Sequence, residues 1–130
     1  MKHTEKPTVF HELLRFYRLR KRMGIREYCE VSGIDFSNYS KYERGVLKPP
    51  TKESALRMIT KAMDLSNDEF EELRELAYLA KEQIPPRVLE RLGRGEKMTT
   101  FFRAMGDEKI TKEKLLELLA FLDDERSKAE

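Results

Sequence analysis

Residues 24–45 read GIREYCEVSGIDFSNYSKYERG, and this stretch decides the fold. A short helix reads from Ile25 to Val31, Gly33 breaks it, and a second reads from Phe36 to about Arg44. Gly45 closes the second, because glycine adopts the left-handed conformation cheaply. Two helices crossing at a tight bend need a small residue at the crossing, and Cys29 occupies it. The bend needs a residue that tolerates positive φ, and Gly33 supplies it. Apolar side chains must face inward, where Ile34, Tyr39 and Tyr42 fall. The second helix needs an N-cap, and Asp35 is a strong one. The remaining face, Phe36, Ser37, Asn38, Ser40, Lys41 and Arg44, points outward. It is mostly polar and cationic, as a surface that meets bases and phosphates has to be.

Helical periodicity continues on both sides, and no strand-like alternation persists. Phe10, Leu13, Leu14 and Tyr17 predict a first helix over about 9–23. Downstream of Pro49 and Pro50, Thr51 can cap a fourth helix that carries Leu56, Ile59 and Met63 on one face. Ser66 and Glu69 match a capping box and open a fifth, with Phe70, Leu73, Leu76, Ala77 and Ala80 inward. Pro85-Pro86 blocks continuation of that helix, so a boundary is expected there. A first domain is predicted over 1–84 and a helical extension over 85–130. The extension reads as pieces over 87–92 and 97–105, separated by Gly93 and Gly95. A last helix, capped by Thr111, runs over about 112–126. Leu115, Leu118, Leu119 and Leu122 form a seam on it. The predicted class is all-α, with no repeat and no low-complexity tract.

Charge is divided unevenly. Residues 1–50 hold 11 Lys/Arg against 6 Asp/Glu, and residues 51–130 hold 15 against 18. A basic N-terminal part points to a polyanionic partner. No apolar run approaches the roughly 20 residues that span a bilayer, so no membrane association is expected. The first nine residues lack the apolar block of a signal peptide, and the lone Cys29 fits a reducing compartment. A cytoplasmic location is the expectation.

Residues 24–45 resemble the helix-turn-helix of the Xre family, which includes phage repressor and Cro-like proteins. Ile25, Glu27, Tyr28, Cys29, Gly33, Ile34, Asp35, Tyr39, Ser40, Tyr42, Glu43, Arg44 and Gly45 fit the family pattern, and the likeness extends over about residues 9–83. Two positions depart from it. Phe36 stands where the family often has a DNA-bonding glutamine. A phenyl ring there contacts a thymine methyl or packs on a neighbouring helix. Cys29 stands where alanine is common, and a buried thiol behaves as a small hydrophobe. The resemblance implies a five-helix DNA-binding domain. Ser37, Asn38 and Lys41 are then directed toward base edges of double-stranded DNA, with Ser40 and Arg44 nearer its backbone. Arg26 lies beside a phosphate at the start of the second helix, and Lys48 touches the backbone from the following loop. Arg18 and Glu43 correspond to an ion pair tying the first helix to the third.

The expected function is a sequence-specific transcriptional regulator, a repressor binding a palindromic operator as a homodimer. Leu115, Leu118, Leu119 and Leu122 are then the dimer interface, the favoured reading of a seam that a segment folded back on its own core would also present. The resemblance also permits an antitoxin that neutralises a protein partner through residues 86–130 and autoregulates. No enzyme, metal site or cofactor is expected. His3 and His11 are too few and too poorly accompanied to hold a metal with Cys29, and no glycine-rich phosphate loop is present. The acidic run Asp68, Glu69, Glu71, Glu72 and Glu75 is explained by a helix dipole.

Overall fold

The computed structural model describes residues 5–93, 95–106, 111–117 and 120, and every regular element among them is a helix. The chain forms two compact units, Met1–Lys81 and Glu82–Glu130. The division falls three residues ahead of the one expected from Pro85-Pro86. No described helix is long and apolar enough to cross a membrane.

The first unit contains α1 (Phe10–Arg20), α2 (Ile25–Ser32), α3 (Phe36–Glu43), α4 (Glu53–Ile59) and α5 (Asn67–Ala80). Its core is the set of apolar faces that the periodicity announces: Phe10, Leu13, Leu14 and Tyr17 from α1, Tyr28 and Cys29 from α2, and Tyr39 from α3. Leu56, Ile59, Met63, Phe70, Leu73, Leu76 and Ala77 complete it. α1 packs on both α3 and α5, and α2 packs on α3. The Tyr28 and Tyr39 rings meet at 5.1 Å. The Tyr28 hydroxyl donates to the Ile59 carbonyl at 2.7 Å, which ties α2 to the end of α4. Ser66 and Glu69 form a reciprocal capping box, Glu69 N–H to Ser66 Oγ at 3.1 Å and Ser66 N–H to Glu69 Oε1 at 3.0 Å.

Three local expectations need correction. α1 stops at Arg20, because Lys21 and Arg22 donate to the Arg18 and Leu19 carbonyls and tighten the last turn. Arg22 then turns the chain at φ 58°. Thr51 does not cap α4. Lys52 is the N-cap without a side-chain bond, and the Thr51 carbonyl is taken by Arg74 Nε at 2.9 Å. On α5, Leu79 is buried and Ala80 is exposed, since the larger side chain gains more by leaving water.

In the second unit, α6 (Pro86–Leu92) packs on α7 (Glu96–Met105). Residues 112–117 are again helical, and Lys114 N–H donates to Thr111 Oγ1 at 3.1 Å. Val88, Leu92, Phe101, Met105 and Leu115 are buried. Leu115 is 0 % exposed within the chain. Leu118, Leu119 and Leu122 lie outside the described residues. Among the described residues of this unit, Leu89, Phe102 and Leu116 are the large apolar side chains left in water.

Candidate nucleic-acid interface

The candidate surface is the outer face of α3, and its mounting begins at the turn before it. Gly33 takes φ 72°, ψ 27°, and its N–H returns to the Cys29 carbonyl, as does Ile34 N–H at 3.0 Å. The chain then reverses over Gly33, Ile34 and Asp35. The Asp35 carboxylate accepts the Asn38 N–H at 2.9 Å and starts α3. At the other end, Val46 and Leu47 N–H both donate to the Lys41 carbonyl, at 3.0 and 3.2 Å, and Gly45 turns away at φ 73°. A Cβ at residue 45 would lie 3.1 Å from the His11 ring, so close approach and backbone conformation both call for glycine there.

Behind α3, Arg18 holds Glu43 with two bonds, Nε to Oε2 at 2.6 Å and Nη2 to Oε1 at 2.9 Å. A third runs from Nη1 to the Met23 carbonyl at 2.8 Å. Both side chains are buried, at 9 % and 5 % exposure. The Glu43 bond raises the Arg18 pKa against the effect of burial. A bidentate guanidinium–carboxylate pair fixes direction as well as distance, so it sets the attitude of α3 on α1. Tyr39 is buried in the same core, and burial drives its phenol pKa far up. Its hydroxyl has no hydrogen-bond partner among the described residues. Cys29 is buried too, which raises its thiol pKa. Ile34 and Tyr42 are half-buried rather than fully inward.

On the outer face, Ser37, Asn38 and Arg44 are exposed, while Ser40 and Lys41 are half-buried. Arg44 Nε donates to Ser40 Oγ at 3.3 Å, so the two act together. Ser37 and Lys41 stand one turn apart and share a face. Lys48 is exposed in the loop beyond.

The cations sort into two groups. Arg20 pairs with Glu69 at 2.6 Å, Lys21 with Asp64 at 2.6 Å and Lys6 with Glu72 at 3.1 Å. Together with buried Arg18, these are engaged inside the protein. The ammonium groups of Lys41 and Lys48 make no hydrogen bond or ion pair among the described residues, and the side chains of the exposed Arg22 and Lys52 also lack one. Lys52, at the start of α4, is a free cation that the sequence reading passed over. Its signal was present in the loop, which has a lysine on each side of Pro49-Pro50.

Arg26 and Phe36 were read separately from the sequence, and the structure brings them together. The Arg26 guanidinium lies over the Phe36 ring, 4.2 Å from its centroid. Spacing could not disclose this contact, which depends on how α2 and α3 cross.

No protein-family model, curated protein or solved structure matches this chain.

Proposed function

We propose that this chain is a sequence-specific DNA-binding regulator with a five-helix domain of the phage-repressor type, acting as a repressor by occupying an operator. The observation that carries the reading is the placement of α3. It is a short, capped helix clamped from behind by a buried ion pair, and its open face holds Ser37, Asn38, Lys41 and Arg44. In this docking mode the second helix of the pair enters the major groove, where each base pair presents a distinct pattern of donors and acceptors. Lys41 meets guanine O6 and N7, Ser37 and Asn38 meet neighbouring bases, and Arg44, Ser40 and Lys48 hold phosphates.

One such helix reaches few bases, and specific affinity usually needs two half-sites. We therefore propose a two-fold dimer with recognition helices roughly 34 Å apart on a palindrome. Among the described residues of the second unit, Leu89, Phe102 and Leu116 are exposed apolar side chains available for pairing.

Selection of bound sequences from random duplex DNA tests the reading directly. A palindromic consensus is expected. On the selected site Lys41→Ala costs about 1–3 kcal/mol and relaxes preference at one base pair, read by titration against selected and random duplexes. A loss of equal size on both makes Lys41 a phosphate contact. A chain that ignores duplex DNA at low ionic strength overturns the function.

A further inference from the structure

Resting on the DNA-binding reading above, we infer that Arg26 is a specificity-determining residue that reads a guanine, and that Phe36 is the positioning residue holding it for that task. The sequence alone places Arg26 beside a phosphate. The structure gives it a different setting.

Arg26 is the second residue of α2 and Phe36 the first of α3. A free arginine at the start of α2 would sweep a wide arc. Here the guanidinium rests on the Phe36 ring at 4.2 Å, where the negative face of the ring attracts it. The contact draws the cation from α2 onto the N-terminal end of α3, the end whose residues meet base edges when such a helix docks. Phe36 itself can donate no hydrogen bond, so Arg26 is the group that brings polar donors to this position.

Those donors are unspent. Arg26 is exposed, and among the described residues its guanidinium makes no hydrogen bond or ion pair. Arg18 and Arg20, by contrast, each spend two donors on a carboxylate of their own chain. Lysine can neither stack flat on an aromatic ring nor present a rigid pair of donors. The planar fork of arginine instead matches guanine O6 and N7, which lie side by side in the major groove. Stacking before DNA arrives removes rotamer freedom that binding would otherwise have to remove. Arg26 and Phe36 together thus do the work of one polar residue at the head of α3.

The test uses the full chain in five forms besides the wild type, Arg26→Ala, Arg26→Lys, Phe36→Ala, Phe36→Leu and the Arg26→Ala/Phe36→Ala double variant, with thermal melts to confirm folding. Each is put through selection from random duplex DNA. In the wild type, one position of each half-site is G·C. Arg26→Ala loses that preference and about tenfold to hundredfold in affinity for the selected site. Arg26→Lys keeps the charge but loses the planar fork and its stack on Phe36, so the preference at that position weakens. Phe36→Leu, which keeps the apolar bulk and loses the ring, blurs the same position and no other. Phe36→Ala adds little once Arg26 is alanine. Replacing that guanine by 7-deazaguanine, which lacks the N7 acceptor, weakens the wild type and leaves Arg26→Ala unaffected. The inference is overturned if Arg26→Ala selects the wild-type consensus and weakens all duplexes alike, since Arg26 is then a phosphate clamp. It is also overturned if both Phe36 variants keep the preference intact. A wild type that selects no duplex removes the DNA-binding reading itself, a result distinct from the other two.

Discussion

Two tyrosines in the core of the first unit differ by one bond. The Tyr28 hydroxyl donates to the Ile59 carbonyl, and burial pushes its pKa up to about 12. The Tyr39 hydroxyl is equally buried and has no partner among the described residues. Tyr28→Phe strands a buried carbonyl and should cost about 1 kcal/mol or more. Tyr39→Phe removes a hydroxyl that faces the Arg18–Glu43 pair without a well-formed hydrogen bond, and should cost less than Tyr28→Phe. Urea denaturation of the two variants separates the cases, and a Tyr39→Phe loss as large as that of Tyr28→Phe would mean that its hydroxyl is bonded. Residue identity predicted the positions of both side chains. It could not tell them apart, because hydrogen-bond satisfaction depends on which backbone carbonyl the packing brings within reach.

At the scale of elements, helix ends carry most of the specification. Gly33 and Gly45 both sit at positive φ, but a Cβ at 33 meets nothing within 4 Å, whereas one at 45 meets the His11 ring at 3.1 Å. Gly33→Ala should therefore cost about 1–2 kcal/mol of left-handed strain. Gly45→Ala should cost more, because α1 or the loop must also give way. Melting temperatures of the two variants report the difference, and His11→Ala should reduce the Gly45→Ala penalty without changing that of Gly33→Ala. The two bends, the Asp35 cap and the Ser66 capping box were legible because each needs a particular residue type at a fixed offset. The start of α4 was misread for the opposite reason: Thr51 has the chemistry of a cap, but Arg74, 23 residues away, binds its carbonyl. The outer face of α3 was readable as a polar stripe. The stack of Arg26 on Phe36 was not, since it joins two helices.

The whole molecule is held partly by charge. Arg20 hydrogen-bonds the Glu69 carboxylate and lowers its pKa from 4.5 to about 2. A carboxylate whose pKa is depressed on folding adds stability above its unfolded value and loses it as pH falls through the folded one. The Glu69 contribution should thus be complete above about pH 5 and fade toward pH 2. Glu69→Gln retains a capping-box side chain while removing the ion pair, so it should melt earlier than wild type at pH 7 and converge with it in acid. Equal offsets at both ends of the range would contradict this. Association is testable at the same scale. Sedimentation of the full chain at micromolar concentration should find a dimer, and Phe102→Glu or Leu116→Glu should shift it toward monomer while leaving the circular dichroism spectrum unchanged. A wild-type monomer would remove the two-fold arrangement from the proposal.

α1 separates two kinds of surface. Arg18 reaches Glu43 on α3, and Arg20 reaches Glu69 on α5. Residues two apart on a helix point about 200° from each other, so the two arginines leave α1 on nearly opposite sides. The Glu69 carboxylate is thereby held on the side of α1 away from Glu43. A polyanion drifting in from the α5 side meets Asp68 and Glu71 in the open and cations already engaged, and it is turned away. From the α3 side it meets Lys41 and Lys48 unopposed. The first unit therefore has a front and a back to any long-range field, and under the proposed function a duplex passing at random would be rotated toward the α3 face before contact is made.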